Sequence, residues 1–378
     1  MFVRTFKFRL YPKRKQGEEL ELMLKHSCDV YNALLAERYE HGLSRYDLQN
    51  ETLRDLKICN PALKKIHSQV LQNLTGRIDQ SFKNYYARCE AGVCPAGKPR
   101  YKKAQYFSSL IYPQSGFKIE GRKLVLSKIG KIKLVQHRKI EGKIKTLTII
   151  KERSGQWYAC FTTEQKQTRT EHPHANRTVG IDVGLTNLIA TSEGTLVPPE
   201  RFLRKSERKI AHTQRELSKK KKGSKNRLKV KKKLAQVHHK IKNQRSDFLH
   251  KISRNLVNDY GMIIAENLNI KNMMRNHRLA KSIGDASWGK LFEMIRYKAE
   301  SAGSTFIKVD PNGTSQTCAQ CHARVPKTLK DRMHTCQACG YNQDRDVNAA
   351  LDVQYRGNHG NTSLNENMTS SQFDDSGR

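Results

Sequence analysis

Apolar and polar positions alternate over residues 2–11. Phe2, Phe6, Phe8 and Leu10 fall on one side and Lys7 and Arg9 on the other. This period-two pattern predicts a strand with one buried face. From about 14 to 41 the spacing turns helical through Leu20, Leu24, Cys28, Tyr31 and Leu35. A second helix is predicted after Asn60-Pro61, a pair suited to the N-cap and first helical positions. It carries Ile66, Leu71, Leu74, Ile78, Phe82 and Tyr85 on one face, and Gly92 to Pro99 breaks it. Residues 106–165 read as short strands. Turns at Glu120-Gly121-Arg122 and Ser154-Gly155 separate apolar runs such as Lys123–Leu126 and Thr146–Ile150. The first strand and these later ones are expected to share one small barrel, with the helical segment inserted between them.

After residue 175 strands and helices alternate. Thr178–Val183 and Asn187–Ser192 read as strands joined by a turn at Gly184. Residues 204–257 form a long, very basic helical stretch interrupted at Gly223-Ser224. The expected buried stripe of its second helix is Leu228, Leu234, Ile241, Phe248, Ile252 and Leu256. Gly261–Ala265 and Ser304–Val309 read as strands and Trp288–Ala299 as a helix. The residues from His359 onward show no periodicity and are expected to be disordered.

Charge narrows the choice of partner. Lysine and arginine number 71 against 35 acidic residues, a net charge of +36. Self-repulsion of that size disfavours a compact fold unless an anion neutralises it. The sequence has no stretch of 18 apolar residues, and the first residues lack the apolar core of a signal peptide. Nucleic acid is the expected partner and membrane is not. Nine cysteines, an odd number, argue for a reducing compartment rather than a disulfide framework. Cys89 and Cys94 read as free thiols.

Four of the nine carry a specific chemistry. Cys318-x2-Cys321 and Cys336-x2-Cys339 are separated by 14 residues and supply four thiolates, a set that suits tetrahedral zinc. With four protein ligands and no open position, such a site is structural. Acidic residues at element ends form a second constellation. Asp182 sits inside the apolar run Val179-Gly180-Ile181-Asp182-Val183-Gly184, and Glu266 closes Met262-Ile263-Ile264-Ala265. Asp344 and Asp346 stand at the head of a helix. A carboxylate in an apolar strand is costly unless paired or bound to metal. Each acid also has a bland reading: Asp344 as an N-cap, Asp346 as a helix-dipole partner, Asp182 as an arginine partner. Together, acids on strand and helix ends can converge on a pair of Mg²⁺ ions for phosphodiester cleavage.

The run Gly180-Ile181-Asp182-Val183-Gly184-Leu185, then Ile263-Ile264-Ala265-Glu266-Asn267-Leu268, then the cysteines, then Asp344-Arg345-Asp346-Val347-Asn348-Ala349-Ala350-Leu351 resembles the three split acidic motifs of the RuvC nuclease in the TnpB family. Further similarity lies in Gln244–Lys251, Ser282–Gly289, Thr314-Ser315-Gln316 and Phe8–Pro12. The match is dense from about 175 to 352. The resemblance implies an α/β chain with β-barrel and helical parts. These are a RuvC-like, RNase H-like core over 173–310 and 343–357 with an inserted zinc ribbon at 311–342, and an oligonucleotide-binding-type barrel over 1–12 and 100–172 interrupted by a helical recognition segment at 13–99. A disordered tail would occupy 358–378. It implies Asp182, Glu266 and Asp346 as catalytic acids holding Mg²⁺, with Asp346 preferred to Asp344 because the family pattern is Asp-x-Asn-Ala-Ala. It also implies Arg332 as a contact to the scissile phosphate and Zn²⁺ on Cys318, Cys321, Cys336 and Cys339. The implied partners are a guide RNA and a target DNA bearing a short protein-read motif, bound by a monomer in a bacterial or archaeal cytoplasm at the nucleoid.

Lys219, Lys220, Lys221 and Lys222, with Lys229–Lys233, flank an apolar stripe and are expected to form a helical face tracking phosphates. Arg245 and Lys251 belong to the same expected surface. Arg100 and Tyr101 open a segment mixing basic and aromatic residues, which either stacks bases or anchors the barrel. Two other functions are weighed: a transposase acting on element ends, which would use the same three acids, and a nuclease-inactive nucleic-acid binder, against which the three intact acids count.

Overall fold

Strand β1 (Phe2–Tyr11) is the alternating segment at the N-terminus, and its Phe6, Phe8 and Leu10 are buried. After a helical insertion come β2 (Ser109–Tyr112), β3 (Phe117–Glu120), β4 (Lys123–Leu126), β5 (Gly130–Val135), β6 (Lys143–Lys151) and β7 (Trp157–Gln165). All seven join one antiparallel sheet of order β2-β6-β7-β1-β5-β4-β3. The two edge strands, β2 and β3, are neighbours in sequence. The four residues between them span at most about 17 Å. Seven flat strands would hold the edges roughly 29 Å apart at about 4.8 Å per strand. The sheet must therefore curl into a nearly closed barrel. Its lining agrees: Phe117 on one edge lies 6.5 Å from Tyr112 on the other and 6.4 Å from Phe161 on a central strand, measured between ring centroids.

The structure, a computed structural model, describes residues 2–165, 171–328 and 331–360. Two compact units divide the chain, Met1–Thr168 and Arg169–Arg378. In the first, helix α1 (Arg14–His41) buries Leu20, Leu24, Cys28, Tyr31 and Leu35 as its spacing required. The next segment departs from expectation. Asn60 does cap a turn, accepting from the Ala62 N–H at 3.1 Å, but that turn is a short 3₁₀ helix over Pro61–Lys65. Ile66 and His67 are extended, and the long helix starts only at Ser68. The break lets both Leu63 and Ile66 enter the core. Upstream, α2 (Arg45–Asp47), a π turn at Leu48–Thr52 and α3 (Leu53–Cys59) were not legible. Their buried leucines, Leu48 and Leu53, are five residues apart, a spacing that fits neither α nor β. The π turn aligns them by an i→i+5 bond from the Leu53 N–H to the Leu48 carbonyl. Helix α4 (Ser68–Glu90) completes the unit and packs on α1.

The second unit holds a mixed sheet of β8 (Thr178–Asp182), β9 (Ile189–Thr191), β10 (Leu196–Val197), β11 (Met262–Glu266) and β12 (Thr305–Val309), in the order β10-β9-β8-β11-β12. β8, β11 and β12 run parallel. Between β10 and β11 lie α5 (Phe202–Ser218) and α6 (Lys225–Asp259), which pack together, Ser224 capping the second. The buried stripe of α6 is Val230, Val237, Ile241, Leu249, Leu256 and Val257. Leu228, expected in that stripe, is 60% exposed because it stands two residues before buried Val230, about 200° away around the helix. Short helices α7 (Ile270–Met273) and α8 (Ala280–Ala286) lead to α9 (Trp288–Ala302), which packs on α6. A hairpin of β13 (Met333–Thr335) and β14 (Asn342–Asp344) precedes α10 (Arg345–His359). Of the expected disordered tail, 358 and 359 end α10, and residues 361–378 lie outside the described residues.

Candidate active site and four-cysteine centre

Strand register brings the first two acids together. In the parallel pairing of β8 with β11, Ile181 stands beside Ala265, so Asp182 follows beside Glu266 at the C-terminal ends of both strands. Period two puts Gly180 and Asp182 on one face, with Ile264 and Glu266 on the same side. Helix α10 covers that face. A Cβ on Gly180 would meet the Ala350 carbonyl at 2.1 Å, and one on Gly357 would meet the Ile264 side chain at 2.5 Å. Glycine at 180 therefore admits the helix backbone itself. From Ala350 back to Asp346 the helix rises about 6 Å. Two strand residues, Gly180 to Asp182, span about 6.6 Å. The head of α10 thus delivers Asp346 to Asp182.

Electrostatics agree with this convergence. Burial, then the negative charges of Glu266 and Asp346, push the Asp182 carboxyl up to about 8. Burial also raises Glu266, opposed by a hydrogen bond from the Thr314 hydroxyl and by Arg356. Asp346 accepts from Asn187 Nδ2 at 3.0 Å and from the Arg345 guanidinium at 3.2 and 3.3 Å. Asp344 is the N-cap of α10, accepting from the N–H groups of Asp346 at 2.8 Å and Val347 at 3.3 Å. The two adjacent acids thus divide, one capping the helix and the other facing the cluster. Three hard oxygen donors suit Mg²⁺ or Mn²⁺ by their chemistry, although among the described residues only the four cysteines already stand at the mutual spacing of ligands on one ion.

A stability prediction follows from the sign of the Asp182 shift. The unfolded carboxyl titrates near 3.8 and the folded one near 8. Between these values the folded state holds the extra proton, so stability falls as pH rises across that window. Asp182→Asn removes the cost. With no Mg²⁺ added, at about pH 8, it is expected to stabilise the protein by on the order of a few kcal/mol. The gain should vanish at about pH 3, below both values, where both states of the wild type are protonated. Thermal melts across this range check it, and a variant less stable than wild type at pH 8 contradicts it.

The four cysteines converge as well. Their sulfurs lie within 4.8 Å of one another, with Cys318–Cys339 at 3.7 Å and Cys321–Cys336 at 3.6 Å. Four thiolates about 2.3 Å from a tetrahedral zinc stand about 3.8 Å apart, so the cluster fits that ion. Chiefly through the Cys339 backbone N–H, the Cys336 thiol is held down at about 7, ready to ligate as thiolate. The centre is wired to the acids. Asn348 on α10, fully buried, donates to the Thr317 carbonyl at 2.8 Å and accepts from the Ala319 N–H at 3.0 Å, on either side of Cys318. Thr314, which bonds Glu266, lies four residues before Cys318. Arg356 ties α10 to the Asp310 and Asn312 carbonyls and pairs with buried Asp352.

The remaining expected residues are placed variously. Arg332 is exposed at the entrance to β13, and its carbonyl accepts from the Arg345 N–H at 2.8 Å. The guanidinium nearest the acids is that of Arg345. Lys219–Lys222 occupy the turn between α5 and α6 and not a helical face, because the helix ends at Ser218 ahead of Gly223. All four are exposed. Arg245 pairs with Asp285 at 2.7 Å, the carboxylate that also receives the Leu203 N–H, so its charge is already matched. Lys251 is exposed and pairs with Asp247 one turn away. Arg100 and Tyr101 are exposed in the first unit.

An acid cluster at the carboxyl edge of a mixed sheet, covered by a helix tied to a four-cysteine centre, defines a candidate metal-dependent nuclease site. Comparison with known families places the chain more narrowly. Residues 160–277 match a family described as "Probable transposase", 288–353 match "Cas12f1-like, TNB domain", and 1–42 match "Helix-turn-helix domain". The last label does not describe the geometry here, where residues 2–41 form one strand and one helix. The chain is 31% identical over 365 residues to "Putative RNA-guided DNA endonuclease" of Streptomyces pristinaespiralis, covering 93% of this chain and 88% of the relative. It is 31% identical over 376 residues to "Putative RNA-guided DNA endonuclease InsQ" of Escherichia coli K12, covering 93% and 91%. Over 64 residues it is 41% identical to "CRISPR-associated endodeoxyribonuclease Cas12f1" of Sulfoacidibacillus thermotolerans, covering 17% and 15%. The chain belongs to the TnpB family of transposon-associated proteins, whose curated members carry the name of RNA-guided DNA endonuclease.

Proposed function

We propose that this protein is an RNA-guided DNA endonuclease that cleaves DNA complementary to a bound RNA by Mg²⁺-dependent phosphodiester hydrolysis. The observation that carries the reading is the meeting of Asp182, Glu266 and Asp346 at one edge of the sheet, with Asp182 pushed up to about 8. In this reading 173–310 and 343–357 form a RuvC-like core, and 311–342 a zinc ribbon on Cys318, Cys321, Cys336 and Cys339. Residues 1–12 and 100–172 form the wedge-like barrel, and 13–99 a helical recognition insertion.

Asp182, Glu266 and Asp346 hold the metal, Asn187 and Arg345 orient Asp346, and Thr314 orients Glu266. Bound Mg²⁺ supplies activation of a water and stabilisation of the leaving oxygen. Exposed Arg332 is assigned to the scissile phosphate. Lys219–Lys222, Arg100 and other unmatched cations supply sequence-independent affinity, leaving sequence to base pairing with the RNA. The working unit is a monomer bound to its RNA, acting on DNA at the nucleoid of a bacterial or archaeal cytoplasm. Among the described residues no helix is long and apolar enough to cross a membrane.

The test uses the purified protein with its co-purified RNA. Cleavage of a complementary duplex is expected with Mg²⁺ and to disappear on adding EDTA or digesting the RNA beforehand. Unchanged cutting after RNA digestion would favour a protein that reads DNA itself, the transposase reading.

A further inference from the structure

Residues 97–103, Gly-Lys-Pro-Arg-Tyr-Lys-Lys, follow α4 with no regular secondary structure, yet the chain is pinned along their length. Arg88 donates to the Gly97 carbonyl at 2.7 Å, and the Tyr39 hydroxyl to the Pro99 carbonyl at 2.6 Å. Asn32 bonds both backbone groups of Lys102, each at 2.8 Å, and the Cys28 thiol shares the Lys102 carbonyl. Backbone held this way by its own carbonyl and N–H groups leaves the side chains free to face outward. Lys98, Arg100, Tyr101, Lys102 and Lys103 are all exposed, and none of the four cations forms an ion pair among the described residues.

The surface beneath the strap is aromatic. Tyr101 lies 6.5 Å from Tyr39, Tyr39 lies 5.4 Å from Phe82, Phe82 lies 6.2 Å from Tyr86, and Tyr86 lies 5.3 Å from Tyr85. Of these rings Tyr101 is 58%, Tyr86 52% and Tyr39 40% exposed, and Arg38 sits over Phe82 at 5.4 Å. A packed core would bury such rings, and a solvated charge run would not need them. Unpaired bases need a π surface beside cations spaced along a backbone. A duplex keeps its base faces stacked within itself and offers only phosphates and groove edges.

We propose that the strap at 97–103, with Tyr39, Tyr86 and Tyr101, is a stacking platform for single-stranded nucleic acid. The strand's phosphates run along Lys98, Arg100, Lys102 and Lys103 while its bases lie against the tyrosines. This rests on and deepens the assignment of Arg100 to nucleic-acid contact in the proposed function, but it requires no cleavage and no metal.

The test uses the full-length protein with no Mg²⁺ and no chelator added, so that the structural metal stays in place and a failure of the nuclease reading cannot affect it. Ten-nucleotide probes carrying 5-iodouracil are offered as single-stranded RNA, single-stranded DNA and duplex, then irradiated and mapped by peptide mass spectrometry. Cross-links are expected at Tyr101, Tyr86 or Tyr39 with one or both single strands, which identifies the preferred sugar, and at least tenfold less with duplex. Tyr101→Ala, a change at an exposed ring, should lower cross-linking at this patch on the order of tenfold. Tyr101→Phe should retain it. Cross-links confined to other regions, equal labelling by duplex, or no effect of Tyr101→Ala would overturn the proposal.

Discussion

Asp182→Ala, Glu266→Ala and Asp346→Ala are each expected to lower DNA cleavage by at least about a hundredfold to a thousandfold while leaving target binding nearly unchanged. The split between the two readouts follows from where the charges lie. The three carboxylates sit together at the edge of β8 and β11 and the head of α10, where they repel one another and repel phosphate. Affinity comes instead from the excess of 71 basic over 35 acidic residues. Removing one acid takes away a metal ligand and, if anything, eases the approach of DNA. Asp344→Ala sharpens the test, because Asp344 is only one residue from Arg345 and two from Asp346. Its carboxylate is engaged by the helix N-terminus, so its loss should cost about 1 kcal/mol of stability and leave more activity than Asp346→Ala. The reverse order would show the third acid to be misassigned. Cleavage by gel and binding by filter retention, measured on the same preparations, give both readouts.

Cys336→Ser is expected to lose zinc and, with it, several degrees of melting temperature. The cluster has four protein ligands, no open position and sulfur separations suited to tetrahedral zinc. Binding at such sites is large enough, about 10–16 kcal/mol in isolated zinc-finger peptides, to organise the short chain around it. Here that chain reaches the acids by two routes. Asn348 clamps α10 to the backbone flanking Cys318, and Thr314 holds Glu266. Cleavage should therefore fall as a consequence of unfolding around the four-cysteine centre and recover partly at lower temperature. Metal analysis beside calorimetry decides the matter: a zinc-free variant with wild-type melting would refute a structural role.

The residues proposed for this candidate site are legible in the sequence because they violate local rules. A charged residue closing an apolar strand, as at Asp182 and Glu266, stands out in the sequence, and so do paired CxxC knuckles. Asp344 and Asp346 were harder, since a helix head welcomes either, and only the cap geometry separates them. The residues that orient the acids left no such mark. Asn187 meets Asp346 across 159 positions, Thr314 meets Glu266 across 48, and Asn348 meets the backbone flanking Cys318 across 29 to 31. Each is an ordinary polar residue until the fold places it. Arg345 left no mark either, being one of 71 basic residues in the sequence until its hydrogen bonds to Asp346 set it apart.

The fold shows the same division. Strand alternation and hairpin turns gave the barrel strands, and the short link between its edge strands implies closure. The two basic helices were also foreseen, but charge density alone placed Lys219–Lys222 on a helix face. Gly223 and the Ser224 cap put them in the turn. The π turn at Leu48–Thr52 hid its segment, because periodicity arguments assume a constant number of residues per turn.

The central claim is that sequence is read by RNA and chemistry is done by the protein. It is tested most directly by exchanging the guide segment of the bound RNA while the protein stays unchanged. Two duplex targets, each complementary to one guide and carrying the same flanking sequence, are offered together with Mg²⁺. With the original RNA only the first should be cut, and with the exchanged RNA cutting should move to the second. Cleavage that stays at the first target after the exchange would contradict the account and show that the protein itself reads the DNA.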